Sequence, residues 1–258
     1  MKSALRLLVL VILAGLALQI YFVARIALMA VVDPESTAFE RSEMWLVAKN
    51  TGALKWRQQW VAYADLPDTL KRAVIASEDA SFIEHEGVDV EALEKAWDKN
   101  TRAEQRAAQS ASRLDAARAD GKNKGNVGRN ITARTPKIVG GSTITQQLAK
   151  NLFLSGERTL LRKGQELVLT LLLERLLTKQ RILEIYLNSV EWGEGIFGAE
   201  AAAQHYYRKP AARLSAYEAA RLAVMLPRPK YFETRASSGY LASRASTIAA
   251  RMGAVEVP

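Results

Sequence analysis

The chain has 258 residues and a formal net charge of +9; 49% of its residues are apolar and 24% are charged. This composition is typical of a globular protein with one good-sized core and excludes a disordered or collagen-like chain. No cysteine is present, which excludes disulfides and thiolate metal sites. The positive charge favours a polyanion or an anionic membrane surface as a partner.

The amino terminus carries one long apolar stretch. Residues Leu7 to Ala24 span roughly 27 Å as a helix, about the hydrocarbon thickness of a bilayer. Lys2 and Arg6 precede the stretch, so the positive-inside rule puts the amino terminus in the cytoplasm. The alternative is a cleaved signal peptide, but Ala27-Leu28-Met29-Ala30 is a poor cleavage site. We therefore predict an uncleaved anchor over residues 1–32 and one domain over residues 33–258.

An apolar helical run after Pro67 leads into an acidic turn that begins with Glu78 and Asp79. A carboxylate at the end of an apolar helix is partly desolvated, so its pKa rises and it can carry a proton near neutral pH. The alternative is a solvated acidic turn. His85 and His205, the two histidines of the chain, lie in no metal-ligand spacing and are interpreted as structural.

Residues 98–137 form a hydrophilic segment with ten Lys or Arg and four Asp or Glu, a net charge of +6. Residues 103–119 could form a helix, whereas Gly and Asn around residues 121–126 favour turns. Little apolar surface is available to offset the ordering entropy. We predict a mobile surface insertion, with contact to anionic headgroups as the alternative.

The remaining segments show helical patterns and almost no strand alternation, so the predicted fold class is all-α. Thr143 to Gln146 and Ser215 to Glu218 have the spacing of capping boxes that start helices. Further helices are predicted over residues 159–177, 179–187, 199–207, 219–226 and 238–252.

Cations cluster after a glycine-containing helix start at Gly140 to Asn151. Such a start favours phosphate oxygens, and Lys150, Arg158, Arg162 and Lys163 could neutralise a diphosphate leaving group, although charge runs are more often solvated faces. Glu166 shares a helix face with Arg162 and Lys163, either as an ion pair or to orient a ligand. The glycines after Asn188 suit a backbone that approaches a ligand closely.

Five ordered motifs over about residues 66–233 resemble those of the peptidoglycan glycosyltransferases, most of all the monofunctional biosynthetic transglycosylases of Gram-negative bacteria. The motifs are Glu78-Asp79-x-x-Phe82-x-x-His85-x-Gly87, Gly141 to Asn151, Arg162-Lys163-x-x-Glu166, Ile182 to Asn188 with Gly193 to Ala203, and Glu218 to Pro227.

The resemblance implies a lysozyme-like all-α domain, held by one transmembrane helix on the periplasmic side of the inner membrane. It implies that the domain polymerises lipid II into β-1,4-linked glycan and releases undecaprenyl diphosphate. Glu78 would be the general base and Glu166 the second catalytic carboxylate. The substrate-binding residues implied are Asp79, Ser142, Thr143, Gln146, Gln147, Lys150, Arg158, Arg162, Lys163 and Asn188.

The expected partners are lipid II, the growing lipid-linked strand, the membrane and other cell-wall synthesis or division proteins, with no nucleic acid. No metal ligand set is visible, and assistance by Mg²⁺ or Mn²⁺ is left open. The hydrophilic segment 98–137 departs from the family's shorter, apolar link, and no Ser-x-x-Lys of a transpeptidase occurs. The alternatives are a membrane-anchored lysozyme-like hydrolase or lytic transglycosylase, and a non-catalytic scaffold for cell-wall enzymes.

Overall fold

The computed structural model describes residues 2–119, 140–154 and 159–258, apart from the side chains of residues 113–119 and Leu160. Within them the chain is mostly helical, as predicted. The helices are α1 (Lys2–Leu28), α2 (Ala38–Thr51), α3 (Asp68–Glu78), α4 (Val90–Ala119), α5 (Ile144–Phe153), α6 (Leu160–Leu176), α7 (Lys179–Ser189), α8 (Ala199–Tyr207), α9 (Ala216–Met225), α10 (Pro229–Glu233) and α11 (Gly239–Arg251). Single 3₁₀ turns occur at Tyr63–Asp65, Ala211–Arg213 and Met252–Ala254.

Helix α1 is long and apolar enough to cross a membrane, and nearly all of it is exposed. Its last turns differ, because Phe22 and Ile26 are buried together with Met29 just beyond the helix end. These three side chains belong to the same hydrophobic cluster as the core of the globular part. Phe22 also meets the ring of Phe153 edge-on at 5.3 Å. The carboxy-terminal end of the predicted anchor is therefore part of the folded core.

Arg181, in the first turn of α7, holds the chain where it leaves α1. Its guanidinium donates to the carbonyls of Met29 at 2.7 Å and Val32 at 3.1 Å. It also pairs with Asp33 at 2.7 Å and with Glu184 at 2.7 Å. A cation near the last carbonyls of a helix satisfies acceptors that have no partner within the helix. This side chain thus joins the end of α1 to α7.

The core of the globular part is built where α3, α9 and α11 pack together and where α5 packs against α6 and α7. Both predicted capping boxes are present, at Thr143 before α5 and at Ser215 before α9. A third one, between Thr37 and Glu40, starts α2. Local sequence chemistry therefore fixes where several of these helices begin.

The described residues 89–119 and 140–142 belong to a compact unit of their own, distinct from the unit of residues 1–88 with 143–258. Its described part is dominated by α4, which confirms the helix predicted over residues 103–119. Val90, Leu93 and Trp97 form an exposed apolar stripe at helical spacing on the first turns of α4. The rest of the predicted insertion, residues 120–137, lies outside the described residues.

One small antiparallel hairpin, β1 (Glu191–Gly193) with β2 (Ile196–Phe197), follows α7. Gly195 and Gly198 have φ angles of +71° and +80°. A Cβ at Gly195 would lie 2.3 Å from the Lys55 carbonyl oxygen, and one at Gly198 would lie 2.6 Å from that of Asn188. The close approach predicted from these glycines is therefore to the chain's own backbone.

Candidate functional site

Glu78 is the last residue of α3, and its carboxylate is bound by neutral groups. Gln147 donates from Nε2 to one oxygen at 3.1 Å, and the Ser77 hydroxyl donates to the other at 3.3 Å. Burial raises the pKa of the Glu78 carboxyl; the two hydrogen bonds and the charge of Arg244 oppose that rise, and Asp79 adds to it. The predicted proton carrier thus has the environment that its chemistry requires.

Gln147 is itself oriented by a second partner. The hydroxyl of Tyr186, which is fully buried on α7, donates to Oε1 of Gln147 at 3.0 Å. This bond fixes which end of the amide is the acceptor, so the amide nitrogen faces Glu78. Burial, with Glu78 and Asp79 nearby, raises the pKa of Tyr186 well above its usual value, which keeps the hydroxyl a donor. Three helices therefore meet in one chain of hydrogen bonds that ends on Glu78.

Asp79 is buried and faces the protein. One oxygen accepts from the backbone N–H of Ile144 at 2.9 Å, and the other lies 2.9 Å from Nε2 of His85. The N–H of Gly87 donates to Nδ1 of His85, so Nε2 is the nitrogen that carries the proton toward Asp79. Asp79 thereby ties the turn after α3 to the start of α5.

The first turn of α5 is occupied by the chain's own groups. Thr143 and Gln146 bond reciprocally as a capping box, and the Thr143 hydroxyl donates to the Gly87 carbonyl at 2.6 Å. With Asp79 on the Ile144 N–H, three backbone N–H groups at this helix start, those of Thr143, Ile144 and Gln146, are bonded within the protein, and the phosphate contact predicted there stays a prediction. Ser142, just before it, is exposed.

Among the predicted cations, Lys150 lies on α5 one helical turn after Gln147, at about 4.5 Å of rise along the axis. Its side chain is exposed. Residues three apart share a helix face, so Lys150 follows the residue that binds Glu78 on the same side of α5. Arg158 lies outside the described residues.

Glu166 lies on α6 and is buried between two cations. Arg162 donates to one oxygen at 3.0 Å, and the Lys163 ammonium pairs with the other. The shared face predicted from the sequence is confirmed by both contacts. Arg162 is mostly buried, and its Nε finds no acceptor within the part of the chain that the structure describes. The Lys163 side chain remains half exposed.

Asn188, at the end of α7, is fully buried and its amide is fully used. Oδ1 accepts from the backbone N–H of Val61 at 2.8 Å, while Nδ2 donates to the carbonyls of Val61 and Glu184 at 2.9 Å. It holds the extended chain at residues 58–62 against α7. The structure therefore gives this residue structural contacts and leaves its predicted substrate contact a prediction.

Sequence reasoning did not single out Ser77, Tyr186 or Arg244 as parts of the site. Tyr186 lies within a quoted motif and Ser77 directly before one, but nothing in their spacing indicates a bond toward Glu78. Arg244 lies on α11, 166 residues after Glu78, and acts on it through charge. Such a contact depends on the packing of α11 against α3 and has no local sequence signal.

A carboxyl of raised pKa can accept a proton from a hydroxyl, and neighbouring cations can stabilise a departing diphosphate. Transfer of a sugar from a diphosphate to a hydroxyl needs both, whereas hydrolysis of a glycan needs no such cations. The mostly helical fold and these residues therefore indicate a glycosyltransferase that acts on diphosphate-activated sugar.

Comparison with known proteins agrees with this class. The transglycosylase family model matches residues 47–116 and 125–253. A biosynthetic peptidoglycan transglycosylase of Burkholderia thailandensis is 53% identical over 95% of this chain and 84% of its own length. Its counterparts from Burkholderia pseudomallei and Burkholderia orbicola are 51% and 48% identical over 95% of this chain and over 84% and 87% of their own lengths.

The chain belongs to the transglycosylase family. It is a peptidoglycan glycosyltransferase that polymerises glycan strands in cell-wall synthesis. Its substrate is accordingly lipid II.

Proposed function

We propose that Glu78 removes the proton from the 4-hydroxyl of the acceptor sugar as that oxygen attacks C1 of the donor sugar. The new β-1,4 bond forms as the bond between C1 and the phosphate oxygen breaks. The proton passes to Glu78, and undecaprenyl diphosphate leaves with the electron pair. The observation that carries this proposal is the carboxylate of Glu78 bound only by the neutral donors Gln147 and Ser77 among the described residues.

A general base must be deprotonated at the working pH. It must also bind a proton strongly enough to take one from the attacking hydroxyl. Burial raises the proton affinity of Glu78, and no cation lies within ion-pair distance among the described residues to hold the carboxylate ionised. The Gln147 amide orients the carboxylate by a hydrogen bond and, being uncharged, does not neutralise it. These features support Glu78 in preference to Glu166, which two cations already bind.

Charge on the departing diphosphate would be met by Lys150, Arg162 and Lys163, with Arg158 as a fourth cation. Lys150 lies one helical turn from the residue that binds Glu78. The half-exposed ammonium of Lys163 can donate to a phosphate oxygen. Cations aimed at a leaving group act on the transition state, where the negative charge grows. Glu166 would hold Arg162 and Lys163 in place.

The other predicted site residues divide into positioning and contact roles. Asp79, Thr143, Gln146 and Asn188 use their polar atoms on the protein and would position the helices that carry the reacting groups. Ser142 is exposed and stays a substrate-binding residue in this proposal.

The cellular setting follows from α1 and the substrate. We infer that α1 crosses the inner membrane once, with Lys2 and Arg6 on the cytoplasmic side and the catalytic domain in the periplasm. The growing lipid-linked strand would share the membrane surface with the enzyme, as would other cell-wall synthesis or division proteins.

The decisive experiment incubates the purified full chain with labelled lipid II and separates the products by size. Polymer that lysozyme degrades, together with release of the lipid diphosphate, is the expected result. The same preparation is incubated with purified sacculi. Release of soluble fragments from sacculi without polymer from lipid II would replace this proposal with a hydrolase or lytic transglycosylase. Inactivity on both substrates would indicate a scaffold.

A further inference from the structure

We propose that the ion pair between Glu174 and Lys179 positions the general base, because it holds Glu78 and the Gln147 amide in one fixed arrangement. The pair lies where α6 ends and α7 begins. Neither side chain bonds to Glu78 among the described contacts, so both are positioning residues that act through other groups. This role rests on the proposed function of Glu78 and goes beyond it by naming the pair that sets its geometry.

The ammonium of Lys179 is enclosed by three groups. It donates to the backbone carbonyl of His85 at 2.6 Å and to Oε1 of Glu174 at 2.8 Å. It also lies 4.5 Å from the centroid of the buried Phe82 ring, within the range of a cation–π contact. An ammonium has three N–H donors, which lets one side chain join several groups. Lys179 therefore fixes the turn after Glu78 at two points.

The turn carries this constraint back to the base. The His85 ring lies 2.9 Å from Asp79, which directly follows Glu78 in the chain. Gly87 limits the turn on its other side, because a Cβ there would lie 2.9 Å from Cγ of Glu174. The turn thus packs directly on the side chain of Glu174 and is bonded to the cation that pairs with it. A shift of this pair would move the turn and, with it, the base.

The same carboxylate is bonded to α5. Oε1 of Glu174 accepts from the hydroxyl of Thr145 at 2.6 Å, and this is the oxygen that Lys179 also binds. Thr145 is fully buried in the first turn of α5, two residues before Gln147. One oxygen atom therefore joins the helix that supplies the amide donor to the turn that follows the base. The distance between Gln147 and Glu78 depends on this junction.

Stability alone does not account for a charge pair at this place. The side chains of Glu174 and Lys179 are 9% and 20% exposed. Replacing such a pair by apolar residues of similar volume is often neutral or stabilising. Apolar residues could not form the directional bonds to the Thr145 hydroxyl and the His85 carbonyl. Such bonds fix angles as well as distances, and a general base needs both to meet the attacking hydroxyl.

The test separates positioning from stability with the full chain in detergent. Glu174→Gln and Lys179→Met each leave one buried charge without its partner, so each alone should lower the melting temperature. The double variant leaves neither charge, and its melting temperature should recover toward that of the wild type. Its kcat on labelled lipid II should stay roughly 10–100-fold low, the scale of loss for a misplaced reacting group. KM should change little.

The pH dependence supplies a readout that is specific to the base. The hydrogen bond from Gln147 lowers the pKa of Glu78, so loosening that bond should raise this pKa. The acidic limb of kcat/KM should therefore move to higher pH in the double variant. Asp79, Arg244 and Tyr186, the other groups coupled to Glu78 by charge, are left in place by these substitutions.

Two further variants locate the effect. Thr145→Val removes the hydroxyl that joins Glu174 to α5 and should move the acidic limb in the same direction, with no buried charge left unpaired. In Gln147→Leu the bond to the base is already lost, so adding the double substitution should move the limb no further. The matched control is Lys209→Met with Glu218→Gln, a pair whose side chains are 30% and 22% exposed. It should alter the melting temperature and leave the limb unmoved.

Recovery of wild-type kcat together with the melting temperature in the double variant would overturn the proposal, since the pair would then be structural only. An acidic limb that stays in place in Thr145→Val would also overturn it, and this variant decides the matter if the double variant does not fold. Polymerisation by Glu78→Gln at the wild-type rate would instead overturn the proposed role of Glu78 as the base.

Discussion

Glu78 and Glu166 are the two carboxylates proposed to act in the reaction, and their surroundings differ. Glu78 receives hydrogen bonds from the uncharged Gln147 and Ser77, and burial raises its pKa. Glu166 is buried between Arg162 and Lys163, with one cation on each oxygen. The same functional group is therefore prepared to accept a proton in one place and to hold cations in the other. In the proposed mechanism, the environment of each carboxylate, and not its residue type, would decide its role.

The largest effect should separate the two carboxylates directly. Glu78→Gln keeps the size of the side chain and removes the base, so polymerisation should fall by ~10²–10⁴-fold with lipid II binding retained. Glu166→Gln should cost less, because Arg162 and Lys163 remain. Turnover of labelled lipid II and binding of a non-polymerisable analogue measure both. A larger loss from Glu166→Gln would reverse the comparison.

The second effect concerns the leaving group. Lys150→Ala should lower turnover by roughly 10²-fold, the usual scale for losing one group that stabilises transition-state charge. The matched control is Lys49→Ala, an exposed lysine on α2. Equal turnover in the two variants would mean that Lys150 is surface charge only.

The third effect concerns the anchor. Helix α1 contacts α6, which is the helix that carries Glu166. Deleting residues 2–20 should leave a folded domain that is active in micelles. Deleting residues 2–32 also removes Phe22, Ile26 and Met29 from the core, so stability should fall by roughly 5 kcal/mol.

The same truncations test which carboxylate region depends on α1. The longer deletion should raise the KM for lipid II through the cations on α6, while the pH dependence set by Glu78 stays in place. Thermal unfolding and kinetics in one detergent give both quantities. Equal melting temperatures for the two truncations would show that the last turns of α1 add nothing to the core.

The smallest effect is a shift in pH dependence. A base of raised pKa is protonated below that pKa, so activity should rise with pH as Glu78 ionises. Arg244 lowers the pKa of Glu78, hence Arg244→Gln should move this acidic limb to higher pH. Glu166→Gln should leave the limb where it is. A plot of the logarithm of kcat/KM against pH measures the shift. An acidic limb that does not move in Arg244→Gln would show that the charge of Arg244 does not lower the pKa of Glu78.

Helical periodicity and capping boxes predict most of the helices, because both are local properties of the chain. The predictions at Thr143 and Ser215 are confirmed, and the charge spacing from Arg162 to Glu166 is confirmed as real contacts. The approach of Tyr186 to Gln147 and the charge of Arg244 on Glu78 depend on how distant helices pack. No local pattern encodes such distances.

The glycines and the anchor illustrate the same limit. The glycines after Asn188 predict close approach to a ligand, whereas the fold shows that the close neighbours of Gly195 and Gly198 are the backbone of Lys55 and Asn188. Hydropathy marks the apolar stretch within α1 but cannot distinguish its exposed residues, which would face lipid, from Phe22 and Ile26, which are buried in the core. Contact with lipid and burial in a protein core both require apolar residues, so the two give the same sequence pattern.

Arg181 has a further consequence through its bonds to Met29, Val32 and Asp33. An enzyme on a flexible tether tumbles above the bilayer and loses orientational entropy each time it engages a substrate. With α1 across the membrane, as proposed, a domain fixed to it would retain only rotation about the membrane normal and lateral diffusion. Encounters between this enzyme and a membrane-bound substrate would then be a search in two dimensions, with Glu78 already at a constant height above the bilayer.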